Sequence, residues 1–419
     1  MSIFILPYGT GHEEISIPDS FHPDLIAPLD VPAAPDPLEE VTHALMNPLG
    51  GIDLSRFSGS HSVAIAINDK TRPVPHHILL PPLLRKLEEI GFPPASISLI
   101  IATGTHLPMP QSEFSKILPS EIIGRYPVFS HDTDAVDLVD LGVTSRGTPV
   151  LVNRRFMQAG LRIVLGNIEP HHFMGFSGGV KTAAIGLAGR ATINQNHALL
   201  PHPLAKTGHY ADNPMRQEVE EIGKRIGIHF ALNAVLNNNK EVVRVIAGDP
   251  VAVMEAGIKL VRSICQVSVK HAYDLVIASA GGHPKDINLY QSQKALTHAA
   301  LLTKDKGTVI LLAACPEGPG SKGYEKFMEG VTSFSEVLAR FKTQGFEVGP
   351  HKAFLVARDA SRVNVHLFSS MPTWQVQKLL LAPVINLDQA VQQALNELPS
   401  STRVAIMPIA TITIPVMES

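Results

Sequence analysis

The chain has 419 residues, length for two or three domains, and 45% of them are hydrophobic against 17% charged, which excludes an intrinsically disordered protein. Its net charge of −3, from 35 Lys and Arg against 38 Asp and Glu with no basic block, argues against nucleic acid or an anionic membrane as partner. Two cysteines, Cys265 and Cys315, are too few for a disulfide framework or a Cys-rich zinc site, and a reducing, cytoplasmic setting is expected.

The N-terminal MSIFILPYGTGHEE lacks a basic leader and a small-residue cleavage site, so no secretion signal is expected. No apolar run approaches the ~18 residues of a membrane-spanning helix. Short β-branched runs predict strands at 3–6, 62–68, 98–102, 162–166, 229–236, 274–280, 308–314, 352–356 and 404–408. Most are continuously apolar, the pattern of strands buried on both faces. Amphipathic stretches at 83–90, 213–226, 250–263, 333–344 and 387–398 predict helices, and Asn213 before Pro214 reads as an N-cap with proline at the first helical position. Alternating strands and helices imply an α/β protein with largely parallel, helix-flanked sheets. The Pro-rich stretch 29–37 reads as an ordered loop within the first domain, and a boundary is expected near 266–272. That gives an N-terminal domain over 1–265 and a C-terminal α/β domain over 272–419.

Three predicted strands run into unusual loops: Asp69-Lys70-Thr71-Arg72-Pro73, Thr103-Gly104-Thr105-His106, and Asn167-Ile168-Glu169-Pro170-His171-His172. Open parallel sheets bind ligands outside the carboxyl ends of their strands, where an Arg, an Asp and several His would converge. The next segment, Gly175-Phe176-Ser177-Gly178-Gly179-Val180-Lys181-Thr182, nearly matches a phosphate-binding P-loop but has Val180 where that motif needs its second glycine. Its small residues let backbone N–H groups approach a phosphate, with a following helix N-terminus adding a favourable dipole; tight helix packing is the alternative. Gly318-Pro319-Gly320-Ser321-Lys322-Gly323 fits a dinucleotide fingerprint, but a lone match broken by proline is weak. His197 has no zinc-type neighbour spacing. Gln291 and Lys294 share a helix face, where they could hold a carboxylate or form a solvated first turn.

Together, Asp69-x-Thr71-Arg72-Pro73, Gly104-Thr105-His106, Pro170-His171, Gly175-Phe176-Ser177-Gly178-Gly179-x-Lys181, Asn196-His197 and Tyr290-Gln291-x-x-Lys294 resemble the nickel-dependent lactate racemase family. The resemblance implies a racemase or epimerase inverting C2 of a small 2-hydroxy acid, with the active site in the interdomain cleft. It implies nickel held in a nickel pincer nucleotide, a pyridinium mononucleotide with two sulfur arms, loaded by cofactor-biosynthesis proteins. By position, Lys181 would carry the covalent link and His197 would be the metal ligand. Asp69, Thr71, Ser177, Gly178 and Gly179 would sit at the cofactor. His106 and His171 would alternate as acid and base on opposite faces of the substrate while C2 exchanges a hydride with the cofactor. Arg72 would clamp the carboxylate, with Tyr290, Gln291 and Lys294 completing the pocket. The sequence departs from the family pattern at Lys70, where a His is usual, and His172 doubles the histidine after Pro170. The readings set against this one are a nicotinamide-dependent 2-hydroxy acid dehydrogenase and a non-catalytic phosphate- or nucleotide-binding protein.

Overall fold

The computed structural model describes residues 1–400 and 402–418. The chain divides into two units, Asp30–Ile264 and a second formed by Met1–Leu29 together with Cys265–Ser419. No helix among the described residues is long and apolar enough to cross a membrane.

The unit Asp30–Ile264 is built on six strands in the order Val242–Gly248, Phe230–Leu236, Leu161–Asn167, Val63–Asn68, Ile97–Ala102 and Val128–Ser130. All neighbours are parallel except Val242–Gly248, which returns antiparallel beside Phe230–Leu236. The central strands carry apolar residues on both faces because helices cover both. Val63, Ile65 and Ile67 face a core shared with the helices Pro37–Met46 and His76–Glu89, while the short helix Lys181–Ala184 packs against the sheet strands Val63–Asn68 and Leu161–Asn167. The strands preceding the three polar loops are therefore adjacent in the sheet. Their carboxyl ends bring Asn68–Asp69, Thr103 and Asn167 to one edge.

In the other unit six parallel strands run Ala382–Val384, Asn364–Phe368, Thr303–Leu312, Tyr273–Ser279, Val404–Met407 and Asp24–Leu25. Asp24 fixes the outermost strand: Arg403 donates to both its carboxylate oxygens at 2.9 and 2.6 Å, and the Tyr273 hydroxyl donates at 2.9 Å. The antiparallel hairpin Ser2–Tyr8/Gly11–Ile17 joins the same core through Leu6, Ile15 and Ile17. Residues 1–29 thus belong with the C-terminal unit, not with a single domain over 1–265. A two-residue edge strand has no pattern that announces which sheet it joins. The Pro-rich stretch 29–37 is accordingly where the chain passes from one unit to the other, rather than a loop inside the first.

The expected strand at 352–356 is also corrected, because these residues lie in the helix Pro350–Ala360. Pro350 occupies its first turn, and Ala353, Phe354, Leu355 and Val356 are all buried, so the segment shows the uninterrupted apolar run that a buried helix shares with a buried strand.

Candidate functional site

A pocket opens at the carboxyl edge of the sheet in Asp30–Ile264, where open-sheet proteins bind ligands. Asp69, Arg72, His106, Ser177, Gly178 and Lys181 line it. Asp69 ends the strand Val63–Asn68 and is 4% exposed. One carboxylate oxygen accepts the Thr71 hydroxyl at 2.6 Å and its N–H at 3.1 Å, which closes the turn holding Arg72. The other lies 2.7 Å from His106 Nδ1. Burial opposes the Asp69 charge, but the hydrogen bonds from His106 and Thr71 outweigh it and hold the carboxyl below its usual range. A carboxylate only accepts, so His106 carries its proton on Nδ1 and keeps Nε2 as a base.

The Arg72 guanidinium makes no ion pair among the described residues, which suits a group that receives an external carboxylate. Lys70, the departure from the family pattern, is instead paired with Glu113.

His171 ends a two-residue strand that pairs with Gly175–Phe176. Its Nδ1 accepts the Met174 N–H at 3.2 Å, which puts the proton of the neutral ring on Nε2, the opposite tautomer to His106. His172 stacks on it with centroids 4.8 Å apart. Phe173 gathers three imidazoles, lying 4.5 Å from His171, 4.4 Å from His172 and 5.3 Å from His197. His197 closes the helix Arg190–His197, and Asn196 anchors that end by donating to the Met215 carbonyl and to the buried Glu218 carboxylate, both at 3.0 Å. Burial, and then the Lys181 charge, push the His197 pKa down to about 3, so the ring stays neutral. His171, His197, Thr71 and Gly179 do not line the pocket itself; Gly179 lies behind its loop and Thr71 supports Asp69.

The glycine loop has steric reasons for its composition. Gly178 has φ +89°, and a Cβ there would sit 2.7 Å from Ile168 Cγ1; Gly179 has φ +58°, with Met254 Cγ at 2.5 Å. Arg216, wholly buried on the helix Pro214–Ile226, donates to the Phe176 and Gly178 carbonyls at 3.1 and 3.2 Å and pairs with Glu220. Asn233 accepts the Gly179 N–H at 3.2 Å. Neither residue stood out in the sequence, where Arg216 reads as part of a polar helix face and Asn233 as one position in an apolar strand. The helix after the loop, Lys181–Ala184, is a single turn, so little helix dipole adds to the backbone donors.

Tyr290, Gln291 and Lys294 lie on the helix Leu289–Leu302 of the other unit, whose N-cap Asn288 accepts the Gln291 N–H at 3.1 Å. Gln291 is exposed, and the Tyr290 ring centroid lies 4.8 Å from Lys352 Nζ. A Cβ at Gly320 would stand 2.4 Å from Asn288 Cγ, so this glycine packs against a helix cap, while one at Gly318 would meet the Gln375 amide at 3.3 Å.

The lactate racemase N-terminal domain family model matches residues 8–208, and the lactate racemase C-terminal domain model matches 268–414. The lactate racemase of Lactiplantibacillus plantarum is 33% identical over 304 residues, which cover 72% of this chain and 71% of that one. That of Thermoanaerobacterium thermosaccharolyticum is 28% identical over 413 residues, 96% of each chain. The apoprotein structure of lactate racemase from the same organism matches with a TM-score of 0.92 at 26% identity, covering 99% of this chain and 100% of that one. A Thermotoga maritima protein shares the fold at a TM-score of 0.64 and 18% identity, over 91% of this chain and 98% of its own.

Proposed function

The chain belongs to the lactate racemase family, and from that membership we propose that it inverts C2 of a 2-hydroxy acid, with lactate as the first substrate to test, using a nickel pincer nucleotide. The observation that carries this reading is the Asp69–His106 pair beside an uncommitted Arg72 and the Lys181 amine in one pocket.

The residues fit the cofactor. His197 is a buried, neutral imidazole, the form that ligates metal. No three His, Cys, Asp or Glu side chains converge among the described residues, so a metal at His197 would draw its other donors from the bound group, as a sulfur-armed nucleotide would provide. Ser177 and Gly178 line the pocket together with Lys181, the amine that would carry the covalent link. When bound, the cofactor supplies a reversible hydride acceptor for C2.

The protein's own part is proton and charge handling. Arg72 takes the substrate carboxylate in a planar two-point contact. His106 Nε2 accepts the hydroxyl proton, and Asp69 stabilises the resulting imidazolium through Nδ1. His171 serves the opposite face. To return a proton it takes up a second one and gives up the Met174 N–H. Inverting one centre in both directions requires a proton carrier on each side, which a dehydrogenase does not.

The test is intact mass together with nickel and sulfur quantitation on protein made in a host that carries the cofactor-biosynthesis proteins. A mononucleotide-sized adduct with one nickel per chain is expected. Protein that racemises lactate with neither would refute the cofactor assignment.

A further inference from the structure

The helix Pro214–Ile226 touches both of the residues expected to hold the cofactor, each through a neighbour one position away in the chain. Near its start, wholly buried Glu218 accepts the Asn196 amide at 3.0 Å, and Asn196 directly precedes His197. The other Glu218 oxygen accepts the Thr144 and Thr148 hydroxyls at 2.8 and 2.6 Å. Further along, buried Gly223 meets Val180, which directly precedes Lys181. A Cβ at Gly223 would stand 2.5 Å from Val180 Cβ. Glycine inside a helix costs about 1 kcal/mol against alanine, and here the close approach of Val180 requires it. Val180 is also the residue that breaks the phosphate-loop pattern, and its side chain fills the notch that Gly223 leaves. Between these two points, wholly buried Arg216 holds the Phe176 and Gly178 carbonyls of the same loop.

A buried carboxylate held by neutral donors adds little to stability, because its desolvation offsets its contacts. What its hydrogen bonds do supply is fixed distances, since each has a narrow length and angle. We propose that this helix sets the spacing between Lys181 and His197, with Gly223 and Arg216 as positioning residues for the Lys181 loop and Glu218 as the positioning residue for the His197 end. The inference rests on the reading that Lys181 carries the covalent link and His197 the metal. One rigid group attached at two points tolerates little error in their separation, and here a single helix holds both ends.

Two variants separate those ends. Glu218→Gln keeps the shape of the side chain but turns an amide donor toward Asn196 Nδ2, itself a donor. Gly223→Ala raises helix propensity while displacing Val180. In the full-length apoprotein, residue-resolved amide exchange reads the two sites separately. Glu218→Gln is expected to quicken exchange about tenfold at Ala198 and Leu200, whose N–H groups bond the Asn194 and His197 carbonyls. Gly223→Ala is expected to do the same at Ala183 and Ala184, which bond the Val180 carbonyl. Each variant should leave the other segment as in the wild type. In cofactor-loaded protein, Glu218→Gln should keep the adduct and release nickel to a chelator about tenfold faster. Gly223→Ala should carry less adduct per chain with nickel per adduct unchanged. A merely structural role would quicken both segments in both variants. That result, no change in either segment, or unaltered nickel release in Glu218→Gln overturns the proposal. Wild-type protein that carries neither adduct nor nickel counts against the cofactor reading alone, and the exchange pattern then judges the helix.

Discussion

Asp69 Oδ2 and His106 Nδ1 lie 2.7 Å apart, with Asp69 nearly enclosed and His106 half-exposed at the pocket. The pair fixes the tautomer in which His106 can accept a proton. Asp69→Asn keeps the volume but loses the charge that steadies the imidazolium. We expect kcat to fall by about 10²-fold, the lower end of what general acid–base catalysis contributes. An unchanged kcat in either direction of racemisation would remove Asp69 from the mechanism.

Arg72 has no carboxylate partner among the described residues, so its donors are available to substrate. Arg72→Lys keeps the charge but loses the planar fork. Charge-assisted hydrogen bonds contribute ~1.5–3 kcal/mol, so the KM for lactate should rise about 10- to 100-fold, with a smaller change in kcat. A KM within twofold of the wild type would place the carboxylate elsewhere.

Lys181 and His197 are assigned different tasks, and mass and metal content separate them. Lys181→Ala should eliminate the covalent adduct. His197→Ala should keep the adduct while losing nickel. An adduct of unchanged mass in Lys181→Ala would show that the link is elsewhere.

His76 and His197, both in the unit Asp30–Ile264, are held neutral, burial being the main cause, with pKa values pushed down to about 4 and about 3. The unfolded chain protonates them near ~6.5, so below that pH it binds more protons than the folded unit. Stability from these groups is intact above about pH 7 and is lost as pH falls from ~6.5 toward the folded values. Between pH 7 and 5.5 the two together should cost the apoprotein unit roughly 2–3 kcal/mol. Urea denaturation at both pH values checks this, and a midpoint that holds or rises on acidification would contradict it.

The site was most legible where chemistry and chain order coincide. Asp69, His106 and His171 follow three apolar strands that are neighbours in the sheet, and reading the loops at the strand ends found Asp69 and His106 at the pocket edge, while His171 lies outside its lining. Lys181 and His197 were legible only through family resemblance, since neither has a local ligand-type spacing. Arg216 and Asn233 carried no signal, and Glu218, which reads with 219–221 as a polar helix face, is wholly buried. Each is a polar residue made internal by partners 22 to 74 positions away: Asn196 and Thr144 for Glu218, Gly178 for Arg216, Gly179 for Asn233. The strand wrongly expected at 352–356 and the misplaced residues 1–29 share a cause. Apolar runs and edge strands take their structure from what they pack against, and no local pattern specifies it.

The central claim is that the hydrogen leaving C2 returns to C2 while histidines handle only the hydroxyl proton. Cofactor-loaded protein incubated with enantiopure C2-deuterated lactate in ordinary water tests it directly. Inversion with the C2 deuterium retained is predicted. Inversion with the deuterium exchanged for solvent hydrogen would mean proton abstraction at carbon, and the assigned roles of His106 and His171 would then be wrong.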